Sequence, residues 1–488
     1  MNRHTKKRKT VVLGASGYMG SNLVPALAEA GWYVRAVARN AQKLEAFGWA
    51  ENTTAIECLS ADALQPETLG PALEGVDVVY YLIHMMWVGG DFVPVEYRTA
   101  ENVLKACEAA GVRRIVYLGG IMPKQSRSRH MEGRRAVGDG LRSGSVQVVE
   151  LRAAMVVGPG SAAFEIIRDM VNHLPVLPAP EAINRQSTPL ALENALTYLI
   201  ASADLPFDGN PVHEITGPET LSYKQMIQIY AQAVGKKPRV FSVPFLTPKM
   251  VSYVLPLLTT VAPTTAKSLI EGLGHDYIGD GSEMQKRVPQ RLLPFREAVA
   301  ATLATEKSAP KPDRWLDGNI ACRGGNPHHA FYARTFCREY KTNASPEALY
   351  EVVQQFGKNG DYFSCKPLWW LRRVIDRLVG GASLRPSHHR QDTREKGDII
   401  DGWQVFAKVP NRRLTLRMRM RAPGTGLQEF SIHKKDGQST LRLCAHWHPA
   451  GIWGLLYWYA HYPLYGFIIS SALKEAARRA EALDRSTD

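Results

Sequence analysis

Short apolar runs alternate with amphipathic stretches over the first 160 positions. Thr10–Leu13 is a brief apolar run, GASGYMG occupies 14–20, and SNLVPALAEAG (21–31) has the spacing of a helix that Gly31 stops. Trp32–Val37, Thr53–Leu59, Val76–Ile83, Arg113–Gly120 and Val146–Val157 read as five further strands, with helices predicted near 66–73, 97–110 and 129–142. The run VDVVYYLI (76–83) is almost wholly apolar, as expected of a strand covered on both faces. Strands and helices alternating at this spacing predict an α/β fold, a doubly wound parallel sheet with right-handed crossovers.

From about 160 to 300 the pattern loosens. Proline-rich LPVLPAP (174–180) and helices over 192–203 and 221–234 predict a smaller lobe above the sheet's carboxyl edge, where such folds bind ligands. ATEKSAPKPDR (304–314) is charged and poor in apolar residues, which predicts a linker between a domain at 1–303 and another at 315–488. The second domain reads as α+β on an antiparallel sheet. Helices are predicted at Ala344–Phe356 and Tyr465–Leu483, and strands at 402–409, 412–421, 428–434 and 439–447. In RRLTLRMRMR (412–421), Leu414, Leu416, Met418 and Met420 face one way, and Arg413, Thr415, Arg417, Arg419 and Arg421 face the other, a side expected to be solvated.

Composition narrows the classes. The chain has 488 residues, enough for two or three domains, and its 45% hydrophobic and 22% charged content suits full-sized cores. A net charge of +14 raises the prospect of an anionic partner: nucleic acid, acidic lipid or a phosphate-bearing ligand. Nucleic acid is disfavoured, because no aromatic residue interleaves with the arginines of 413–421. Cysteines at 58, 107, 322, 337, 365 and 444 form no C-x-x-C pair and are read as reduced thiols in a cytoplasmic protein. Basic Met1–Lys9 is read as a solvated tail before a buried strand, since glycines at 14, 17 and 20 break the apolar stretch that follows. GIWGLLYWYAHYPLYGFIISSAL (451–473) is long enough to span a bilayer. With His461 and Pro463 mid-segment, it is read instead as a buried loop and helix, with peripheral contact at the inner face of the membrane as the other reading.

The chemistry concentrates near the N-terminus. Glycines at 14, 17 and 20 between a strand and a helix permit a tight turn, a close approach to a pyrophosphate, and close helix packing; the helix N-terminus offers N–H groups to phosphate. Tyr18 and Met19 belong to that turn, and Ser16 can add a hydroxyl contact. An NAD site wants an acidic residue at the end of the second strand. Arg39 stands there, with Arg35 four residues earlier, and a guanidinium suits a 2′-phosphate, so NADP(H) is favoured over NAD(H). Asp62 is placed for the adenine edge, and Leu82, Ile83 and His84 for the middle of the cofactor.

GASGYMG, VRAVAR, Asp62 in LSAD, YYLIH, RIVYLGG and LRAAMVVGPG together resemble the atypical, NmrA-like short-chain dehydrogenase/reductases over about residues 1–300. GDIIDGWQV, RMRAPGTGLQEF and HPAGIWGLLYWY resemble the START/polyketide-cyclase-like, helix-grip domain of a two-domain bacterial YbjT-like subgroup. The resemblance implies a Rossmann domain that binds NAD(P), with Gly119 beside it. It also implies a serine after the fifth strand and a Tyr-x-x-x-Lys pair on the next helix. This chain departs from that pattern: the strand ends Gly119-Gly120, and if Arg135 takes the lysine position, Met131 takes the tyrosine's. Methionine cannot transfer a proton. His84, His130 and Arg135 remain as catalytic candidates, each with an ordinary surface or packing role as the alternative. His328-His329, His388-His389 and His446-x-His448 lack a carboxylate or cysteine at ligand spacing, so no metal is expected.

Three functions compete. One is an NADP(H)-dependent oxidoreductase for an apolar small molecule or quinone-like acceptor, which asks less of a Tyr–Lys pair. The second is a non-catalytic NADP(H) redox sensor or assembly protein. The third is a membrane-associated scaffold. The sequence favours the first slightly and sets no oligomeric state.

Overall fold

The computed structural model describes residues 8–45, 47–49, 53–85, 91–123, 128–308, 329–381, 395–435 and 437–487. The chain divides into two compact units, Met1–Glu306 and Lys307–Asp488.

In the first unit, β1 (Lys9–Leu13), β2 (Tyr33–Ala38), β3 (Ile56–Ser60), β4 (Val78–Tyr81), β5 (Arg114–Gly120), β6 (Gln147–Ala153) and β7 (Val212–Ile215) form one sheet. Its order is β7-β6-β5-β4-β1-β2-β3, and every pairing is parallel. The expected doubly wound α/β sheet is present. β7 was not foreseen: VHEI is short and half polar, and sits in the stretch read as a lobe. Strand periodicity sorts the core into two layers. Val12, Val34, Val78, Val116 and Val149 pack on one face, and Val11, Val79, Ile115 and Val148 on the other. The flanking helices that matter for the site are α1 (Tyr18–Glu29), α2 (Val93–Ala109) and α3 (Arg129–Leu141).

Residues 304–308, expected to open a linker, instead finish the helix Phe295–Ser308. Glu306 makes this part of the fold. It takes both guanidinium arms of buried Arg168, at 2.6 and 3.0 Å, and Glu165 also faces that arginine at 3.3 Å. Residues 309–314 lie outside the described residues.

The second unit runs β8 (Arg334–Thr342), α4 (Pro346–Gln354), α5 (Lys366–Leu378), then β9 (Ile399–Ile400), β10 (Trp403–Val409), β11 (Arg413–Met418), β12 (Gly424–Lys435), β13 (Gln438–Pro449) and α6 (Gly451–Thr487). The antiparallel sheet has the order β8-β13-β12-β11-β10-β9, so the first strand pairs with the last. Leu414, Leu416, Phe430, Leu443 and Trp447 form its core with Leu349 and Val353 of α4 and Ile469, Leu473 and Ala476 of α6. Ser345 caps α4 by accepting from the Ala348 amide at 3.1 Å, and its own hydroxyl donates to Asp484 of α6 at 2.7 Å.

Three expectations are corrected here. The predicted loop before the last helix is itself helical: α6 begins at Gly451 and runs through Pro463. A proline inside a helix forfeits one hydrogen bond and costs roughly 3 kcal/mol, which burial of Leu455, Trp458 and Ile469 on the same helix offsets. The arginine face of β11 is not fully solvated, since Thr415 is buried and Arg413 and Arg417 are half-buried. The cysteines are not all reduced. Cys337 and Cys444 face each other across β8 and β13, with Cα atoms 4.2 Å apart, and form a disulfide. Spacing within the sequence could not reveal a pair that only strand register brings together. Cys58, Cys107 and Cys365 carry free thiols.

Among the described residues, no helix is long and apolar enough to cross a membrane.

Candidate active site

The glycine turn is fixed by contacts only glycine allows. Gly14 has φ +87°, and a Cβ there would lie 2.8 Å from the Leu82 carbonyl oxygen. A Cβ on Gly20 would lie 2.3 Å from the Gly14 carbonyl. The amides of Gly14 and Ala15 donate to the Val37 carbonyl at 3.1 and 3.0 Å, which ties the turn to the end of β2. Gly17 is the N-cap of α1, and no side chain caps the helix. The first-turn amides of Tyr18, Met19 and Gly20 therefore point out of an uncapped N-terminus, which fits a pyrophosphate. Ser16 is exposed at the turn, and the Tyr18 hydroxyl rests where a side chain on Gly158 would fall.

Of the other expected cofactor residues, Arg39 follows the end of β2, Asp62 that of β3 and Leu82 that of β4, and Gly119 lies in β5. Arg39 is exposed two residues beyond Val37, and its carbonyl accepts from Ser60 Oγ at 3.0 Å. Arg35 serves the fold instead, pairing with Glu57 at 2.9 Å and donating to the carbonyls of Ala72 and Glu74. Asp62 shapes its own turn, with Oδ1 accepting from the Leu64 amide at 3.0 Å. The Leu82 amide donates to the Leu13 carbonyl at 3.0 Å, so Leu82, Ile83 and His84 leave the sheet beside the glycine turn. Gly119 lies one strand further on, where a Cβ would approach Glu150 to 3.1 Å.

The structure joins two of the catalytic candidates. His84 Nδ1 is 2.5 Å from Glu96 Oε1 on α2, and His84 Nε2 is 3.2 Å from His130 Nδ1 on α3. Glu96 Oε1 also accepts from the Met85 amide at 3.0 Å. The carboxylate is almost fully buried and reaches the turn of α3 at Gly133, where a Cβ would lie 2.1 Å from Oε2. Arg135 is exposed. The adjacent Arg134 is the one that acts on the pair electrostatically, and its carbonyl accepts from the Tyr117 hydroxyl at 3.0 Å. Met131, at the expected tyrosine position, is buried against Gly120.

Burial, reinforced by the charge of Arg134, lowers the basicity of His84 to about 4 despite Glu96. Burial, His84 and Arg134 hold His130 well below the ordinary imidazole value. For Glu96, burial works upward but is outweighed by the His84 hydrogen bond and charge, Arg134 and the Met85 amide, so it is lowered. The resting arrangement at neutral pH is a carboxylate and two neutral imidazoles. Glu96, as acceptor, places the His84 proton on Nδ1; His84 Nε2 then accepts from His130 Nδ1–H, leaving His130 Nε2 as a base. Among the described residues Nε2 of His130 has no hydrogen-bond partner.

Sequence reasoning missed Glu96 and Arg134. Glu96 sits twelve positions from His84, a separation with no periodic meaning, and only the packing of the segment after β4 against α2 joins them, α3 then adding His130.

In the second unit the histidines serve the fold. His446 Nδ1 pairs with Thr335 Oγ1 at 3.0 Å, His448 Nδ1 donates to the Ala330 carbonyl at 2.9 Å, and His329 Nδ1 lies 3.1 Å from Thr425 Oγ1. His328, His388 and His389 lie outside the described residues. Among the described residues no cluster of three metal-ligating side chains occurs.

Comparison with known proteins bears on the glycine turn directly. Residues 14–151 match the NAD(P)H-binding family model. This stretch is an NAD(P)H-binding domain. Residues 327–472 match a family described as a protein of unknown function, DUF2867. The chain is 25% identical over 236 residues to a ceramide reductase of Caulobacter vibrioides, covering 48% of this chain and 73% of the relative. It is 33% identical over 122 residues to cinnamoyl-CoA reductase 1 of Oryza sativa subsp. japonica, covering 24% of this chain, and it spans only 35% of that relative. Among solved structures, Citrobacter sp. triphenylmethane reductase complexed with NADP(H) aligns with 60% of this chain and 99% of its own, at 18% identity and a TM-score of 0.48.

Proposed function

We propose that the first unit is an NADP(H)-dependent oxidoreductase that reduces an apolar small molecule or quinone-like acceptor, with His130 as the group that moves the proton. The chain of Glu96, His84 and His130 beside the glycine turn carries this reading. Two matched relatives being named reductases supports it. Bound NADPH supplies the hydride. Gly14, Gly17 and Gly20 with the first turn of α1 bind the pyrophosphate, Arg39 the 2′-phosphate, and Asp62 the adenine side. As the acceptor's oxygen gains charge, protonated His130 gives its Nε2 proton to that oxygen and returns to the neutral base; in the reverse direction it takes the proton from the alcohol. Glu96 and His84 hold the imidazole in the required tautomer, as a buried carboxylate does for a catalytic histidine elsewhere.

The second unit is a START-like, helix-grip module on this reading. Pairing of the first strand with the last, and a long final helix packed on the sheet, support it.

The test is oxidation of NADPH by a panel of apolar ketones, aldehydes and quinones, with wild type and His130→Phe. The expected result is turnover in wild type and at least about a hundredfold loss in the variant, with NADPH binding retained. NADPH binding without turnover on any acceptor would favour a redox sensor instead.

A further inference from the structure

Helix α5 is amphipathic in the reverse of the usual sense. Its polar side faces the protein. Asp376 is fully buried, accepts the Arg421 amide at 2.7 Å and faces Arg372 at 3.6 Å. Arg373 donates to Asp401 at 2.9 and 3.1 Å. Its apolar side faces outward: Trp370 is 64% exposed and Leu378 80%, and Leu368, Leu371 and Ile375 are exposed as well. A soluble helix normally turns such a stripe to the core. Here buried hydrogen bonds and ion pairs pin the helix the other way round.

α6 also carries an exposed apolar side chain where the chain entering α5 meets it. Ser364, just before α5, donates to the Ile468 carbonyl at 3.2 Å. The neighbouring Phe467 is 69% exposed. Cations border the stripe. Lys366 and Arg377 are exposed at the two ends of α5, and Arg421 is exposed while donating to the Val379 carbonyl at 2.8 Å. At the N-terminal end, a cavity of about 220 Å³ is lined by Gly360, Asp361, Lys366, Trp369, Trp370 and Arg373. Lys366 in the first turn opposes the helix dipole, so its position does not serve helix stability.

We propose that α5 and the adjoining part of α6 form a monotopic contact with an anionic lipid surface, α5 lying in the interface with its apolar side toward the acyl chains. An exposed Trp/Leu/Ile stripe rimmed by Lys and Arg is what an interfacial helix presents. The chain's net charge of +14 complements an acidic leaflet. The cavity sets the Lys366 ammonium beside Trp370 at the N-terminal end of the stripe. This surface belongs to the second unit, and the inference does not rest on the proposed reaction.

The experiment is co-sedimentation of the full chain with phosphatidylcholine vesicles, with and without phosphatidylglycerol, together with tryptophan emission. Wild type, the triple variant Trp370→Ser, Leu371→Ser, Leu378→Ser, and the pair Lys366→Glu, Arg377→Glu are compared. The expected result is binding to phosphatidylglycerol vesicles with a blue shift, and about tenfold weaker partition in both variants, while NADPH binding and far-ultraviolet dichroism are unchanged. Absence of wild-type binding, or equal binding by the triple variant, overturns the proposal. So does light scattering that shows a wild-type dimer converted to monomer by the triple variant without any vesicle binding, since the stripe would then be covered by a second copy.

Discussion

At the scale of single residues, the site depends on places where a methyl group has no room. Gly133 lets the Glu96 carboxylate lie against the backbone of α3. Gly133→Ala should displace Glu96 from His84, lowering stability by about 1–3 kcal/mol and turnover with it; chemical denaturation and steady-state rates check this. The histidines add a pH dependence. Both are held below the usual imidazole value in the folded state, so they favour folding fully only above about 6.5. That contribution is lost as pH falls through 6.5 towards 4. In the His84→Gln, His130→Gln double variant, the acid-side fall in melting temperature should be shallower than in wild type; an unchanged slope would contradict it. In the proposed reaction the protonated His130 is the donor, so the rate of reduction should rise as pH falls from neutrality. The glycine spacing was legible because backbone approach to a phosphate leaves a local signature in the chain. The Glu96–His84–His130 chain was not. His84 and His130 could be named singly, but their partnership depends on how β4, α2 and α3 converge. Arg135 carried the family pattern, yet helix phase turns it to solvent and gives Arg134 the electrostatic role.

At the scale of elements, buried polar links fasten segments that periodicity alone could not assign. Arg168 joins the helix Ala162–His173 to Phe295–Ser308 through Glu306. Arg168→Ala would leave Glu165 and Glu306 buried without their cation, and burial already raises both carboxyls. It should cost about 3–5 kcal/mol, read as a shift in denaturation midpoint. In the second unit, Cys337→Ser with Cys444→Ser should lower stability by about 2–4 kcal/mol, and reductant should change the melting of wild type but not of the variant. Buried strands of the first sheet were readable because both faces are apolar, so an almost unbroken run marks them. β7 escaped because a short edge strand carries His213 and Glu214. Pro463 concealed the length of α6, since a local breaker outweighed the packing that sustains the helix on either side. The thiol pair escaped because register, not spacing, brings Cys337 opposite Cys444.

At the scale of the whole molecule, the chain couples a parallel-sheet NAD(P)H-binding domain to an antiparallel unit that keeps an apolar stripe on its outside. The net charge of +14 was visible in composition, but composition could not divide it between a nucleotide phosphate and a lipid surface. On the proposed readings, Arg39 serves the first and the rim of α5 the second. On the proposed reading of the first unit, the glycine turn and Arg39 bind NADPH in preference to NADH. This preference is tested most directly by fluorescence titration of wild type and Arg39→Ala with both dinucleotides. The expected result is micromolar NADPH binding, weaker NADH binding, and about a tenfold or greater loss for NADPH alone in the variant. Equal affinity for the two dinucleotides in wild type, or an Arg39→Ala variant that binds NADPH as wild type does, would contradict it.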